Sequence, residues 1–250
     1  MNHIIVSIIM PSYNSATTIV SSIESVQQQD YPHWELLITD DGSTDNTVEL
    51  VRELADDDPR ISIEVNPVNS GAGFSRNQSI KRSKGKYIAF LDSDDIWATN
   101  KLESQIKVLE AGYDVVCSHY HTFIDDIDKI QVTRRFPVEL NYYSMLYGNK
   151  VGNLTGIYNQ DRLGKVYQQN IGHEDYLMWL ELVKRAGKAF CVQEALAYYR
   201  VSSASLSGNK LKASLWQWKI YREQLGLGLF QSIYYWYGYV LNALIRESIK

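Results

Sequence analysis

The chain has 250 residues, 45% of them apolar and 22% charged, a balance that supports a folded core and excludes the disordered, collagen-like and disulfide-scaffold classes. Its length suits one large α/β domain with an appended helical tail rather than two full domains. A formal net charge of -4 argues against a nucleic-acid partner, because neutralising phosphates needs a basic face.

Residues 4–10 form an apolar, β-branched run that reads as a buried parallel strand ended by Pro11. The amino terminus lacks a positive n-region and a small-residue cleavage site, so this run is read as a strand and not a signal peptide. Ile19, Ile23 and Val26 then mark one apolar helical stripe behind the capping candidates Asn14 and Ser15. Residues 34–38 give a second strand that stops in Asp40, Asp41, Gly42 and Ser43, followed by a stripe of Val48, Val51 and Leu54. A third strand at 61–65 leads through a Gly-rich turn at 69–73 to a short helix containing Arg76 and Ile80. The fourth strand, 87–91, runs directly into Asp92, Ser93, Asp94 and Asp95.

Strands alternating with helices in this way predict an α/β fold with a mostly parallel, Rossmann-like central sheet. Each strand ends in polar residues, and the carboxyl edge is where open α/β sheets bind ligands. Asn100 and Glu103 fit a capping box for a helix burying Leu102, Ile106 and Leu109. Beyond Asp114 the alternation fails: strands are expected at 115–120 and 131–136, helices at 139–147 and 174–185, and a late strand at 196–201. The expected division is a catalytic domain at 1–208, with a nucleotide-binding half (1–113) and an acceptor half (114–208), then a helical tail at 209–250. Cys117 and Cys191 sit in short apolar runs without metal-ligand spacing and read as core residues of a reducing, cytoplasmic setting.

Three acids in four positions after a strand repel one another unless a cation or hydrogen-bond donors offset them. Hard carboxylate oxygens suit Mn²⁺ or Mg²⁺, ions that commonly take one or two protein ligands and complete their shell with diphosphate oxygens. Taken alone, Asp92 to Asp95 is as well read as an acidic loop with a helix cap, Asp40-Asp41-Gly42 as a turn, and Glu174 and Asp175 as acids decorating a helix start. Gly71 and Gly73 begin a dinucleotide fingerprint, but Arg76 occupies its third glycine position.

The joint order of Pro11-Ser12-Tyr13-Asn14, Asp40-Asp41-Gly42-Ser43, residues 69–77, Asp92 to Asp95 and Gly172-His173-Glu174-Asp175 resembles the family 2 glycosyltransferases of GT-A fold. The likeness is strongest to bacterial enzymes that extend O-antigen, capsule or teichuronic-acid chains, and it covers roughly residues 4–206. It implies an inverting enzyme that moves a sugar from a UDP-sugar to a saccharide acceptor, one linked to polyprenyl diphosphate in such relatives. On this resemblance Pro11 and Tyr13 line the nucleotide pocket, Asp41 accepts from the uracil ring with Asp40 beside it, and Arg76 lies near base and ribose. Asp92 is expected at the ribose, Asp94 on the metal, Asp95 at sugar hydroxyls, and Asp175 as the catalytic base. Arg200 is expected near phosphate oxygens; many relatives carry a histidine two residues later, where this chain has Ser202. Trp97 and Lys101 would shape the sugar and acceptor entrance, with Trp97 in the core as the other reading, and His173 and Glu174 adjoin the base.

Residues 224–245 contain no charged side chain but include Phe230, Tyr234, Tyr235, Trp236, Tyr237 and Tyr239. From 209 to 250 six basic residues (Lys210, Lys212, Lys219, Arg222, Arg246, Lys250) face two acids, Glu223 and Glu247. The expectation is an amphipathic helix lying on the inner face of an anionic membrane, against packing on the catalytic domain or a homodimer contact. Rival functions are a sugar-1-phosphate nucleotidyltransferase, which would want a Gly-rich basic loop after the first strand, and a non-catalytic nucleotide-sugar-binding module.

Overall fold

In a computed structural model, which describes residues 5–169, 174–201 and 210–248, one ten-stranded sheet takes its strands from between Val6 and Arg200. In chain order its strands are β1 (Val6–Ser12), β2 (Trp34–Asp40), β3 (Ile61–Val65), β4 (Tyr87–Phe90), β5 (Ile96–Trp97), β6 (Val115–Phe123), β7 (Val132–Arg134), β8 (Glu139–Asn141), β9 (Ile157–Asn159) and β10 (Lys188–Arg200). Their spatial order is β3-β2-β1-β4-β9-β6-β10-β5, with β7 on β6 and β8 on β10. The first four strands pair in parallel, as do β6 and β10, while β9 joins the two groups by running antiparallel to both β4 and β6.

The helices are α1 (Ile19–Gln27), α2 (Thr47–Asp57), α3 (Ala72–Arg82), α4 (Lys101–Glu110), α5 (Tyr142–Met145), α6 (Gln160–Leu163), α7 (Glu174–Ala186), α8 (Lys210–Lys219) and α9 (Leu229–Ser248). The sheet separates two cores. On one face Ile8, Met10 and Ile38 meet Ile23, Val26, Val51, Leu102 and Ile106 from α1, α2 and α4. On the other, Ile9, Ile88 and Phe90 meet Ile80 of α3 and the apolar residues of α7. Alternate strand residues thus serve opposite layers, as the pleat dictates. Both faces being covered explains why β1 and β2 are buried along their whole length and read as continuous apolar runs.

Four expectations are corrected. Pro11 does not end the first strand: β1 continues to Ser12, and Pro11 lies beyond the last β1–β4 pair, Ile9 with Phe90, keeping only its β2 partner Thr39. The missing N–H therefore falls where no β4 ladder bond is due. Asn14 and Ser15 do not cap α1 by their side chains; Asn14, at φ 48, instead takes Thr44 N–H on its Oδ1 (2.8 Å) and donates its own N–H to Ser43 Oγ (2.8 Å), tying the loops after β1 and β2 together. The Asn100–Glu103 capping box does not form, because Asn100 has near-helical backbone angles (φ -88, ψ 6) where a capping side chain wants extended backbone. Glu103 pairs with Lys107 instead, at 3.0 Å. The stretch expected as a helix at 139–147 divides into β8 and the short α5, with Asn141 forming a capping box with Ser144 between them.

Candidate active site

Parallel register aligns the ends of the first two strands. Because β1 pairs with β2 from Val6–Trp34 to Ser12–Asp40, both strands finish side by side at the carboxyl edge. Asp40 is fully buried and accepts from Ser12 Oγ (2.8 Å), Gly42 N (3.1 Å), Ser43 N (2.8 Å) and Ser43 Oγ (2.6 Å). Those bonds hold the turn after β2 and leave Asp40 facing inward. Asp41 is buried too, and it grips the next loop: Asn66 Nδ2 (2.8 Å), Ser75 Oγ (3.1 Å), Ser70 N (3.0 Å) and Gly71 N (2.7 Å) all donate to its carboxylate. Burial alone would raise its pKa, but these donors outweigh it and hold Asp41 below the ordinary carboxylate value. Tyr13 stands at the end of β1 with its ring half exposed, beside this rim.

From α3, Arg76 reaches across to the loop after β4. Its Nη2 meets Asp92 Oδ1 at 2.7 Å, its Nε approaches the same oxygen at 3.3 Å, and Nη1 donates to Gln168 Oε1 at 3.1 Å. Burial opposes the guanidinium charge, yet Asp92, Asp175 and Glu174 together push its pKa above the usual arginine value. Glu174 also packs over Gly73, where an added Cβ would lie 3.6 Å from its carboxyl carbon. The amino end of α7 and the acids after β4 therefore face one half-buried cation.

The acidic loop itself is a tight turn, with Asp95 N bonded to Asp92 O at 3.1 Å. Ser93 is buried and bonds Ser15 Oγ at 2.8 Å, fastening the turn to the loop after β1. β5 follows at once and pairs with β10, which brings Arg200 alongside. Arg200 donates its N–H to Asp95 Oδ1 (2.9 Å) and its Nε to the Asp94 carbonyl (3.0 Å), with its guanidinium 4.5 Å above the Phe123 ring. Burial and the neighbouring acids raise Asp94, and raise the wholly buried Asp95 far more. Asp92 has Arg76 and Asp95 has the Arg200 N–H, whereas among the described residues the Asp94 carboxylate has its own backbone N–H as its donor.

A divalent cation fits this donor set. Asp94 is a half-buried carboxylate short of donors beside a second acid, and an ion of the Mn²⁺ or Mg²⁺ class needs only one or two such protein ligands when a diphosphate completes its shell. Among the described residues no three His, Cys, Asp or Glu side chains gather into a metal-binding group.

Asp175 is half-buried at the start of α7, where Asn149 Nδ2 donates to its Oδ2 at 3.0 Å. Asn149 in turn accepts from Val151 N at 3.0 Å, which fixes which way its amide points. Sequence reading missed Asn149 and Gln168, because both lie in irregular stretches with no periodic signal. Trp97 is placed in the core and not at the acceptor side: it is 3% exposed, its indole N–H bonds Leu154 O at 2.8 Å, and β5 pairing turns the ring inward. Lys101 is fully buried behind it and lines no entrance, with its Nζ 3.9 Å from the Trp97 ring. His173 and Ser202 lie outside the described residues.

Comparison with known proteins adds an independent line. The sequence model described as "Glycosyl transferase family 2" matches residues 7–168. "UDP-Glc:alpha-D-GlcNAc-diphosphoundecaprenol beta-1,3-glucosyltransferase WfgD" of Escherichia coli is 36% identical over 252 residues, spanning 99% of this chain and 97% of that protein. Among solved structures, S. aureus TarS 1-349 in complex with UDP-GlcNAc superposes with a TM-score of 0.74 at 22% identity, over 95% of this chain and 72% of that one. The mannosyltransferase PcManGT of Pyrobaculum calidifontis, solved with GDP-Man and Mn2+, gives a TM-score of 0.69 at 16% identity over 90% of this chain and 65% of its own.

Proposed function

The chain belongs to glycosyltransferase family 2 and has the GT-A fold, and we propose that it transfers a sugar from a UDP-sugar, with inversion, to a hydroxyl of a lipid-linked saccharide. The observation that carries this reading is the half-buried Arg76, bonded to Asp92 and lying in the field of Asp175 and Glu174, which brings the acids of two distant segments together. A nucleotidyltransferase would want basic donors in the loop after β1, and there Asn14 and Ser15 are occupied with Ser43, Thr44, Thr47 and Ser93.

In this assignment Tyr13, Asp41 and Pro11 border the base, Asp92 with Arg76 faces the ribose, and Asp94 holds the metal. A divalent cation bound there would supply positive charge to the diphosphate oxygens as the leaving group departs. Asp175 takes the proton from the acceptor hydroxyl; that oxygen forms its bond to the anomeric carbon as the bond to the diphosphate breaks, and UDP leaves with the electron pair. Asn149 holds the Asp175 carboxylate in place, and Arg200 adds charge beside Asp94. The WfgD name supports a UDP-sugar donor and a diphosphoundecaprenol-linked acceptor, and PcManGT supports a divalent ion of the Mn²⁺ type.

The test is UDP release from a panel of UDP-sugars with a diphosphopolyprenyl saccharide and Mn²⁺. Asp175→Asn is expected to bind donor normally but lose transfer by about 10²-fold or more, the scale of a lost general base. Asp94→Ala is expected to lose both turnover and the metal-dependent part of UDP binding. Wild-type transfer in either variant, or pyrophosphate exchange in place of UDP release, overturns the assignment.

A further inference from the structure

The helix α9 is apolar on two sides. Its inward side is anchored on the loop after α5: Tyr147 OH donates to Tyr234 OH (2.9 Å), Asn242 Nδ2 donates to the Tyr147 carbonyl (3.4 Å), and the Tyr239 ring sits over Gly148. Gly238 is where the two elements come closest, since a Cβ there would lie 2.5 Å from the Tyr147 ring. Ser232 is fully buried, and Tyr235 and Trp236 pack on the core. The outward side is Phe230, Ile233, Tyr237 and Leu241, a stripe at helical spacing, all exposed, with Phe230 87% exposed; Tyr234 lies at its edge, its ring exposed while its hydroxyl reaches Tyr147. Leu215 and Lys219 of α8 are exposed one turn apart nearby in the chain.

A solvated helix would carry charge on that outward side, yet residues 224–245 hold none. The charge lies at the flanks, where basic residues outnumber acids six to two between 209 and 250. Among the described residues no helix is long and apolar enough to cross a membrane. An aromatic, uncharged stripe between basic flanks matches the layering of an anionic bilayer surface, with rings at the headgroup level and cations toward the phosphates. A second copy of the chain would bring its own excess of basic residues to the basic flanks, where an anionic surface brings opposite charge.

We propose that the outward face of α9 is a docking surface for an anionic lipid bilayer, and that it seats the acceptor side of the cleft at the membrane. The loop that carries α9 is also the one that holds the base: Tyr147 and Gly148 contact α9, and Asn149, the next residue, bonds Asp175. This placement rests on the reading of a lipid-linked acceptor given above, whereas the docking itself does not.

The experiment is sedimentation of the full-length protein with vesicles of phosphatidylcholine alone or with about one third phosphatidylglycerol. Binding to the anionic vesicles is expected to exceed binding to the neutral ones by about tenfold and to weaken severalfold in 0.5 M NaCl, as charge screening requires. Phe230→Ser with Ile233→Ser, two outward residues outside the catalytic cleft, is expected to lose about tenfold or more of that binding while keeping the wild-type circular dichroism and wild-type transfer to a short water-soluble acceptor. Equal binding of wild type and double variant, or a wild-type dimer in gel filtration that the double variant dissociates, overturns the docking. Vesicle binding needs neither donor nor acceptor, so absence of transfer with intact docking strikes only the proposed function.

Discussion

Lys101 is fully buried, and its Nζ meets the Gln105 amide at 2.7 Å and the Trp97 ring instead of a carboxylate. Burial brings its pKa down to about 7 from the ordinary 10.5. Between those values the unfolded chain holds a proton that the folded one has given up, so stability rises with pH across this window, and the penalty is complete below pH 7. Lys101→Met is therefore expected to stabilise the protein by about 1–4 kcal/mol, the gain typical of replacing a buried ion with an apolar side chain. Urea unfolding should show a larger gain at pH 6 than at pH 9, and an equal gain at both would contradict the burial account. Asp41 works in the opposite sense. Its pKa is held down in the fold, so its contribution is present above the ordinary carboxylate range and is lost as pH falls through its folded value.

Among the elements, α7 shows how packing selects a residue the sequence alone does not explain. Its Trp179 is fully buried, with its ring 5.5 Å from Phe90 edge-to-face, and it occupies the space beside Gly156, where an added Cβ would lie 2.1 Å from the indole. Gly156 precedes β9, the strand that joins the two halves of the sheet, so a side chain there drives β9 and α7 apart. Gly156→Val is expected to cost about 3 kcal/mol or more, at the upper end for overpacking, and to lower the thermal midpoint accordingly. The contact with Trp179 gives the physical reason for glycine at this position.

For the molecule as a whole, the proposed site predicts linkage between ligands and folding. UDP-sugar with Mn²⁺ at about 100 times the dissociation constant adds roughly 2.7 kcal/mol to stability, because the unfolded chain has no cleft to bind them. For a chain of this size that corresponds to a rise in melting temperature of about 5–10 °C, measurable by scanning fluorimetry. Chelation with EDTA is expected to remove the Mn²⁺-dependent part, and Asp94→Ala to abolish that part while leaving the unliganded midpoint within about a degree. An Asp94→Ala variant that keeps the full metal-dependent rise would separate the ion from this carboxylate.

The sequence by itself determined the alternation of strands and helices in the first half, the two-sided burial of β1 and β2, and the polar strand ends at Asp40 and Asp92, because pleat and helix periods are local and the apolar runs obey them. It also carried the family, through motifs whose order survives along the chain. What it left open depended on contacts between segments far apart: Trp97 turned inward by pairing with β10, Asp41 surrounded by donors from the loop after β3, and Asn149 brought to Asp175 across 26 positions. Those outcomes follow from strand register and loop closure, which no window of neighbouring residues encodes. The tertiary structure alone therefore decided which acids share a cation and which side chains hold them.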